Sequence, residues 1–395
     1  MKNSVKLFSA FMAITMLVAS SIGHVSADSA LASPSLTAAS NSGPFTYLYP
    51  VSENISSTPL EELSGITRLN FARNDRPIIY ANYPEQIGVN GKSMPLAEYG
   101  YCVNQQVITA GEAHVFFSHW NRSGRTIKYR VHVFNMSVGD TDVQVSNIGY
   151  SSGWSDPGKT VKDFFSNSGS QMTLAQGASG WLSPEYTIAN NQPFNGLIRF
   201  TCSQAVIVTI YMYYDVSAVD GYEVVYPYSE EYSDDLQVYS GVGTGYFLTA
   251  AHGTIKTSEM PYRYVTNKLH ANDNEITSIN LVGTNLQASE DAAVPLNNLG
   301  NWCTQNYHTM TILNDTDTPK TVYGYIGSNA IGNTAVVQRG AVAQSAQLEN
   351  GQRTWKWCKI ELDPGESYTF DFQTILASYG AAPTFHEWDI VDRMA

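Results

Sequence analysis

The sequence predicts an all-β protein built as two tandem antiparallel β-sandwich domains, Ig-like or jelly-roll-like, with few short helices. Three observations carry this prediction. Ile127, Tyr129, Val131 and Val133 alternate with Lys128, Arg130 and His132, the period-two pattern of a strand with one buried face. The run Ala205 to Tyr214 is almost continuously apolar, β-branched and aromatic, which suits a strand buried on both faces; it is about half the length a membrane-spanning helix needs. With 395 residues the chain exceeds what one sandwich core ordinarily organises, and it has room for two.

In chain order, Met1 to Lys6 is basic, Leu7 to Ala19 is apolar, and Val25-Ser26-Ala27 offers compact residues to a signal peptidase. The expectation is a signal peptide over 1–27 and an exported protein with no membrane span once it is removed. Residues 28–43, rich in Ser, Ala and Asn without periodicity, read as a flexible leader. The first domain is then expected over 44–226, an acidic linker over 227–238 and the second domain over 239–391. Short apolar runs at Phe45 to Tyr49, Ile66 to Phe71 and Pro77 to Tyr80 read as strands, and Thr58 to Leu63 and Val161 to Phe165 as helical turns. The segment Glu112 to Tyr150 reads as a three-stranded meander, with turn chemistry at Asn121-Arg-Ser-Gly124 and Ser137-Val-Gly139-Asp140.

A loose internal repeat supports two similar domains. Val131 to Asn135, Asp140-Thr-Asp142 and Val143 to Gly149 find echoes in His308 to Asn314, Asp315-Thr-Asp317 and Thr321 to Gly327, an offset of domain size. Further echoes link Asn190 to Pro193 with Asp363-Pro-Gly365.

Removal of Lys2 and Lys6 with the signal takes the formal charge from −13 to −15. An acidic surface lacks the basic face that neutralises phosphates, so no nucleic-acid partner is expected. Charged residues are 14% of the chain and tyrosines number 25, so Ser, Thr, Asn, Gln and Tyr must make much of the surface, a composition compatible with neutral polar ligands such as glycans.

Four cysteines in an exported chain permit disulfides. Pairing within domains, Cys102 with Cys202 and Cys303 with Cys358, is the simplest arrangement. A closed loop of ~100 residues contributes about 4 to 5 kcal/mol in the chain-entropy model.

Catalytic or metal-binding residues are not singled out, and no cofactor is expected. His114 and His119, five apart, point to opposite faces of one straight strand, and with His132 they show no metal-ligand spacing. Asp140 with Asp142 and Asp315 with Asp317 read as turn formers. Glu185, Glu223, Glu361 and Glu387 are conceivable glycosidase carboxylates, none distinguished by its surroundings. Trp120 and Trp154 stand next to turn residues and are the candidate ligand-binding rings, since an aromatic face suits the apolar side of a pyranose.

Gly243-Thr-Gly-Tyr-Phe-Leu-Thr-Ala-Ala-His252 resembles the segment that carries the general-base histidine of chymotrypsin-like serine proteases. The resemblance spans about ten residues and implies a base at His252 with a downstream serine and oxyanion hole. The chain departs from that pattern: Gly253 replaces the usual Cys, and no Gly-Asp-Ser-Gly-Gly-like segment follows. The expectation is therefore a non-catalytic extracellular or cell-envelope protein, acting by binding a glycan or protein surface or as a structural surface component. The alternative is a secreted hydrolase acting on polysaccharide.

Overall fold

The alternating and apolar runs become strands of four sheets. The computed structural model describes residues 43–48, 66–67, 72–82, 86–87, 101–153, 158–214, 226–227, 240–244, 247–267, 279–282, 297–298, 302–328, 333–339, 342–348, 353–377 and 384–392. Sheet I runs Ser179–Trp181, Ile127–Asn135, Val206–Tyr214, Tyr101–Ile108, Tyr226–Pro227, with Tyr186–Ile188 also beside Ile127–Asn135. Sheet II runs Gln171–Leu174, Thr141–Ser152, Pro193–Cys202, Gly111–Asn121, Pro77–Ala81, Ser240–Thr244, Ile279–Val282, Asn297–Asn298, with Gln86–Ile87 beside Gly111–Asn121. Sheet III runs Val342–Leu348, Asn333–Arg339, Ser367–Leu376, Gln305–Leu313, Phe247–Lys256, Ala72–Arg73. Sheet IV runs Phe45–Tyr47, Arg353–Leu362, Lys320–Ser328, Thr384–Asp389, Tyr262–Asn267, Ile66–Thr67. Pairing is mostly antiparallel, and the fold is all-β as the patterning predicts.

Alternation decides the packing. Val131, Val133, Val206, Val208 and Ile210 of Sheet I meet Val115, Phe117, Val145, Ile198 and Phe200 of Sheet II in one core. Met310, Ile312, Phe370 and Phe372 of Sheet III meet Val322, Trp355, Trp357 and Trp388 of Sheet IV in a second. A third cluster joins the backs of Sheets II and III: Tyr80, Phe116 and Leu197 with Cys303, Tyr307 and Ile375, and with Val161 and Phe164 of the helix Lys159–Ser166. The layers therefore stack I, II, III, IV. The predicted helical turn at Val161 to Phe165 lies in that helix, whereas Thr58 to Leu63 falls outside the described residues. The run Ala205 to Tyr214 is a central strand of Sheet I, buried from Val206 to Tyr213 except for a half-buried Ile207.

The meander expectation is corrected. Its three strands form as Gly111–Asn121, Ile127–Asn135 and Thr141–Ser152, but they do not pair with one another. The first and third lie in Sheet II against Pro193–Cys202, while the second lies in Sheet I against Val206–Tyr214. Each turn crosses the sandwich instead of closing a hairpin, and a buried asparagine explains why. Asn121 Nδ2 donates to Arg125 O at 2.8 Å and Ile188 O at 3.1 Å, and its Oδ1 accepts from Ser123 N. Asn135 Nδ2 donates to Gly139 O at 2.7 Å and Leu174 O at 2.8 Å, and its Oδ1 accepts from Ser137 N. The amide thus holds its own turn and a strand end elsewhere in the core edge, which a two-residue hairpin turn has no room to do.

The same clasp recurs where Sheet III crosses to Sheet IV. Asn314 Nδ2 donates to Thr318 O at 2.9 Å and Leu362 O at 3.1 Å, and its Oδ1 accepts from Thr316 N. In all three, the asparagine backbone N–H and C=O also bind a second turn, at Asn191 and Gln192, Gly177 and Ala178, or Gly365 and Glu366. The first residue of each pair has a positive φ, 63°, 73° and 76° in that order. Left-handed backbone there turns the N–H inward, and Gly or Asn tolerates it. The sequence echo of Asn135 with Asn314 is thus a repeated piece of structure, and Leu174 to Ala178 is the segment that answers Leu362 to Glu366.

Strands from both sides of 228–239 share sheets. Ser240–Thr244 pairs Pro77–Ala81 in Sheet II, and Phe45–Tyr47 pairs Arg353–Leu362 in Sheet IV. Of the expected linker, Pro227 lies beside Cys102, following Tyr226 beside Tyr101, and the remainder falls outside the described residues.

The expected disulfides are corrected as well: Cys202, Cys303 and Cys358 are free thiols. The Cys202 thiol donates to Thr109 O at 3.4 Å. Cys102 stands at the far end of the strand that leads to Thr109, roughly 20 Å away at ~3.3 Å per residue, beyond disulfide reach. Cys303 packs between Sheets II and III, and Cys358 packs in the core between Sheets III and IV.

Candidate functional site

A β-bulge opens the site. Phe200 pairs with Val145 but Arg199 pairs with Asn147, so Ser146 is an extra residue in Thr141–Ser152. The bulge re-aims the strand: Ile148 and Tyr150, beyond it, turn to the seam where Sheets I and II part. There they meet Leu182 and Tyr186, and a cleft of about 860 Å³ opens along the seam.

One wall is the helix Lys159–Ser166, which rests on Sheet II at Gly149. A Cβ on Gly149 would lie 1.8 Å from Thr160 O, so only glycine lets the helix approach this far. Ser151 Oγ and Thr160 Oγ1 share a hydrogen bond of 2.7 Å, and Asn147 Nδ2 donates to Phe164 O at 2.9 Å. Lys159 and Asp163 form an ion pair one turn apart on the cleft side.

The opposite wall is Sheet I. The Arg130 guanidinium lies 3.9 Å from the Trp181 ring centre, and Trp181 stands edge-on to His132 and Tyr211. His132 is buried, and burial first, then Arg130, lowers its pKa to about 4, so the imidazole beneath the platform is neutral at physiological pH. On the floor Tyr150 and Tyr186 stack in parallel, with ring centres 3.7 Å apart, and desolvation pushes Tyr150 up to about 12. Ser151, Ser152, Ser168, Ser170, Ser183 and Asn167 complete the lining with short polar groups. The arrangement offers an aromatic floor, a rim of hydroxyls, and one cation not bound to a carboxylate of the lining. Chemically it can stack and hydrogen-bond a polar ligand.

Glu185, between the lining residues Pro184 and Tyr186, accepts from Tyr213 and Lys128. These bonds, the tyrosine's first, hold its carboxyl below the ordinary range, so it is a carboxylate and not an acid at neutral pH. Glu361 pairs with Lys359, and buried Glu387 with Arg263 at 2.6 Å; Glu223 lies outside the described residues. Among the described lining residues Asp163 is the one carboxylate.

No family model matches the chain, and no curated protein matches it. Solved structures give only distant likenesses. An anti-sigma factor domain-containing protein is 12% identical, with 82% of this chain and 94% of that one covered, at a TM-score of 0.16. Oxalate decarboxylase from Lactobacillus farciminis is 7% identical, with 84% and 89% covered, at 0.10.

The residues singled out in the sequence lie apart. Trp120, on Sheet II with the Arg122 guanidinium 4.5 Å from its ring centre, does not line the cleft, and Trp154 falls outside the described residues. His119 faces the core beside Tyr129 and Phe194 while His114 faces the back of Sheet II beside Phe164, the opposite-face placement that strand parity predicts. Among the described residues no three His, Cys, Asp or Glu converge as metal ligands. Asp315 accepts from Ser258 N and Oγ, fastening the 3-10 turn Thr257–Glu259, and Asp142 accepts from Thr173 Oγ1. The strand Phe247–Lys256 lies in Sheet III and shifts register at His252 and Gly253, between the pairs Ala251 with Thr309 and Thr254 with Thr311.

Tyr150 escaped sequence reasoning because the bulge breaks strand parity, and Trp181 and Tyr186 because the three-residue strands Ser179–Trp181 and Tyr186–Ile188 are too short to show a period. A signal was present: Lys128 and Arg130 mark the outward face of their strand, on which an aromatic neighbour forms a platform.

Proposed function

We propose that the protein is an exported, surface-acting binding protein whose seam cleft holds a neutral glycan segment. The observation that carries this reading is the aromatic-floored, serine-rimmed cleft with a single, ion-paired carboxylate among its described lining residues. Stacking on Tyr186 supplies apolar contact, and the exposed Ser152, Ser168 and Ser170 with the Arg130 guanidinium supply donors and acceptors matched to sugar hydroxyls. Glycoside hydrolysis needs two carboxyl groups flanking one bond, and Asp163 with its lysine partner supports that chemistry poorly. In this reading two sandwiches, Sheets I with II and III with IV, exchange strands and act as one body.

The test is incubation of the mature protein with a panel of cell-wall and plant polysaccharides, with retention and released reducing sugar both measured. Retention without release is expected, and Tyr186→Ala or Trp181→Ala weakens it by about 1 to 3 kcal/mol, the cost of losing a central aromatic anchor. Steady sugar release abolished by a single carboxylate-to-amide change would replace binding with hydrolysis. No retention on any member would defeat the glycan reading.

A further inference from the structure

The edge of the second core holds a buried cation that no carboxylate among the described residues meets. Arg339 ends the strand Asn333–Arg339 and is 6% exposed, with its guanidinium carbon 4.2 Å from the Phe45 ring centre. Its Nη2 donates to Tyr368 Oη at 2.8 Å, but Nε and Nη1 have no acceptor among the described residues. Gln344 lies on the next strand. Arg339 pairs with Val342 and Gln344 with Val337, so the two side chains share a face as diagonal neighbours, within mutual reach for residues of this length. Gln344 is also 6% exposed, and neither end of its amide has a partner among the described residues.

A desolvated guanidinium is strongly unfavourable unless an anion accepts its hydrogens, and an unpaired buried amide adds to the cost. Phe45 and Tyr368 satisfy part of the guanidinium, but an aromatic ring and a phenol are neutral. The donors left over, Arg339 Nε and Nη1 with Gln344 Nε2, suit a planar two-oxygen anion, the shape that arginine recognises best.

We propose that Arg339 and Gln344 form a binding site for a small carboxylate at the edge between Sheets III and IV. The strand Phe45–Tyr47 is its cover. That strand makes a three-residue pairing with Arg353–Leu362, its Phe45 ring lies against the guanidinium, and Tyr47 Oη donates to Arg339 O at 2.7 Å. A short edge strand opens locally far more readily than a central one, which gives a small anion its entry. The carboxylate is either free or carried on a sugar, and the chemistry of capture is the same.

The experiment is thermal unfolding of the full mature chain at neutral pH and fixed ionic strength, with chloride replaced stepwise by formate or by glucuronate. A saturable rise in Tm of several degrees is expected in formate, glucuronate or both, since a ligand bound only by the folded state stabilises it by mass action. A response to formate alone marks a free small carboxylate, and a response to glucuronate marks a sugar-borne one. Arg339→Leu abolishes the rise, and Gln344→Leu weakens the apparent affinity several-fold. If Arg339→Leu fails to fold, Gln344→Leu and titration of 13C-formate against the wild-type chain decide. The same Tm in formate, glucuronate and chloride, an undiminished rise in Arg339→Leu, or an unchanged affinity in Gln344→Leu would overturn the site.

Discussion

The two cores of this molecule are made of different material on the same frame. Between Sheets I and II the filling is largely Val, Ile and Phe, whereas between Sheets III and IV three tryptophans, Phe45, Phe370 and Phe372 join the aliphatic residues, with His308 stacked on Phe372 and His386 on Tyr264. Yet both sandwiches cross from sheet to sheet through an asparagine clasp with the same hydrogen bonds. The comparison teaches that the frame is specified by the turns and the filling by volume: apolar side chains of any kind satisfy a core, but one amide geometry satisfies the crossing.

The largest effect should come from breaking the shared part. Asn314→Ala strands the buried carbonyl of Leu362 and loses the bonds to Thr318 O and Thr316 N, and Asn135→Ala strands that of Leu174 and loses the bonds to Gly139 O and Ser137 N. At about 1 to 3 kcal/mol for the orphaned buried carbonyl and about 1 kcal/mol for each other bond lost, each substitution should cost about 3 to 5 kcal/mol in urea unfolding. Equal losses in the two sandwiches would establish the common frame. A loss under 1 kcal/mol at either asparagine would show that the two crossings are not equivalent.

A second experiment separates the halves. His132 belongs only to the first, and burial depresses its folded-state pKa to about 4. A neutral folded imidazole leaves stability intact above its unfolded pKa of ~6.5 and loses it progressively as pH falls through that value towards 4. The full loss is about 3 kcal/mol, at 1.36 kcal/mol per pH unit. Urea midpoints between pH 7 and 4 should fall more in wild type than in His132→Phe, and parallel curves would refute the burial account.

Smaller is Gly149→Ala, which forces the helix off Sheet II and should cost about 1 to 3 kcal/mol while lowering polysaccharide retention. Smallest of all is reduction. With three free thiols, reductant should leave the Tm unchanged, and alkylation of the denatured, unreduced chain should label Cys202, Cys303 and Cys358. Non-reducing peptide maps that link Cys303 to Cys358 would restore the disulfide.

Much of this fold was legible as strands and little of it as neighbours. The alternation from Ile127 to Val133 reports one buried face, and the structure buries those four residues fully. It says nothing of which strand lies alongside, because a hairpin and a sandwich crossing present the same periodicity on either side of a polar turn. Asn121 was read as a turn residue and Asn135 as the end of an echoed strand segment, and in the structure each ends its strand and holds the turn that follows. That their amides also reach Ile188 and Leu174, 67 and 39 residues away, is a long-range fact that no local pattern carries. The cleft was hidden for a related reason. One inserted residue at Ser146 reverses the facing of every side chain beyond it, so Tyr150 reads as outward in sequence and sits in the seam. Trp120 and Trp154 were chosen for their neighbours in sequence, whereas the platform at Trp181 is made by Arg130 from another strand.

The three clasps have a consequence for how the protein is produced. Each is written Asn-x-Ser/Thr: Asn121-Arg-Ser123, Asn135-Met-Ser137 and Asn314-Asp-Thr316. That triplet is the acceptor signal for N-linked sugar in secretory pathways that glycosylate. The nitrogen that would receive the sugar is the one that donates to Ile188, Leu174 or Leu362, and all three asparagines are fully buried. A host that modifies chains as they emerge would compete with folding for the same atom, and every modified chain would lack a crossing. Yields from such a host should recover when attachment is blocked, and a host without the modification spares the protein that contest.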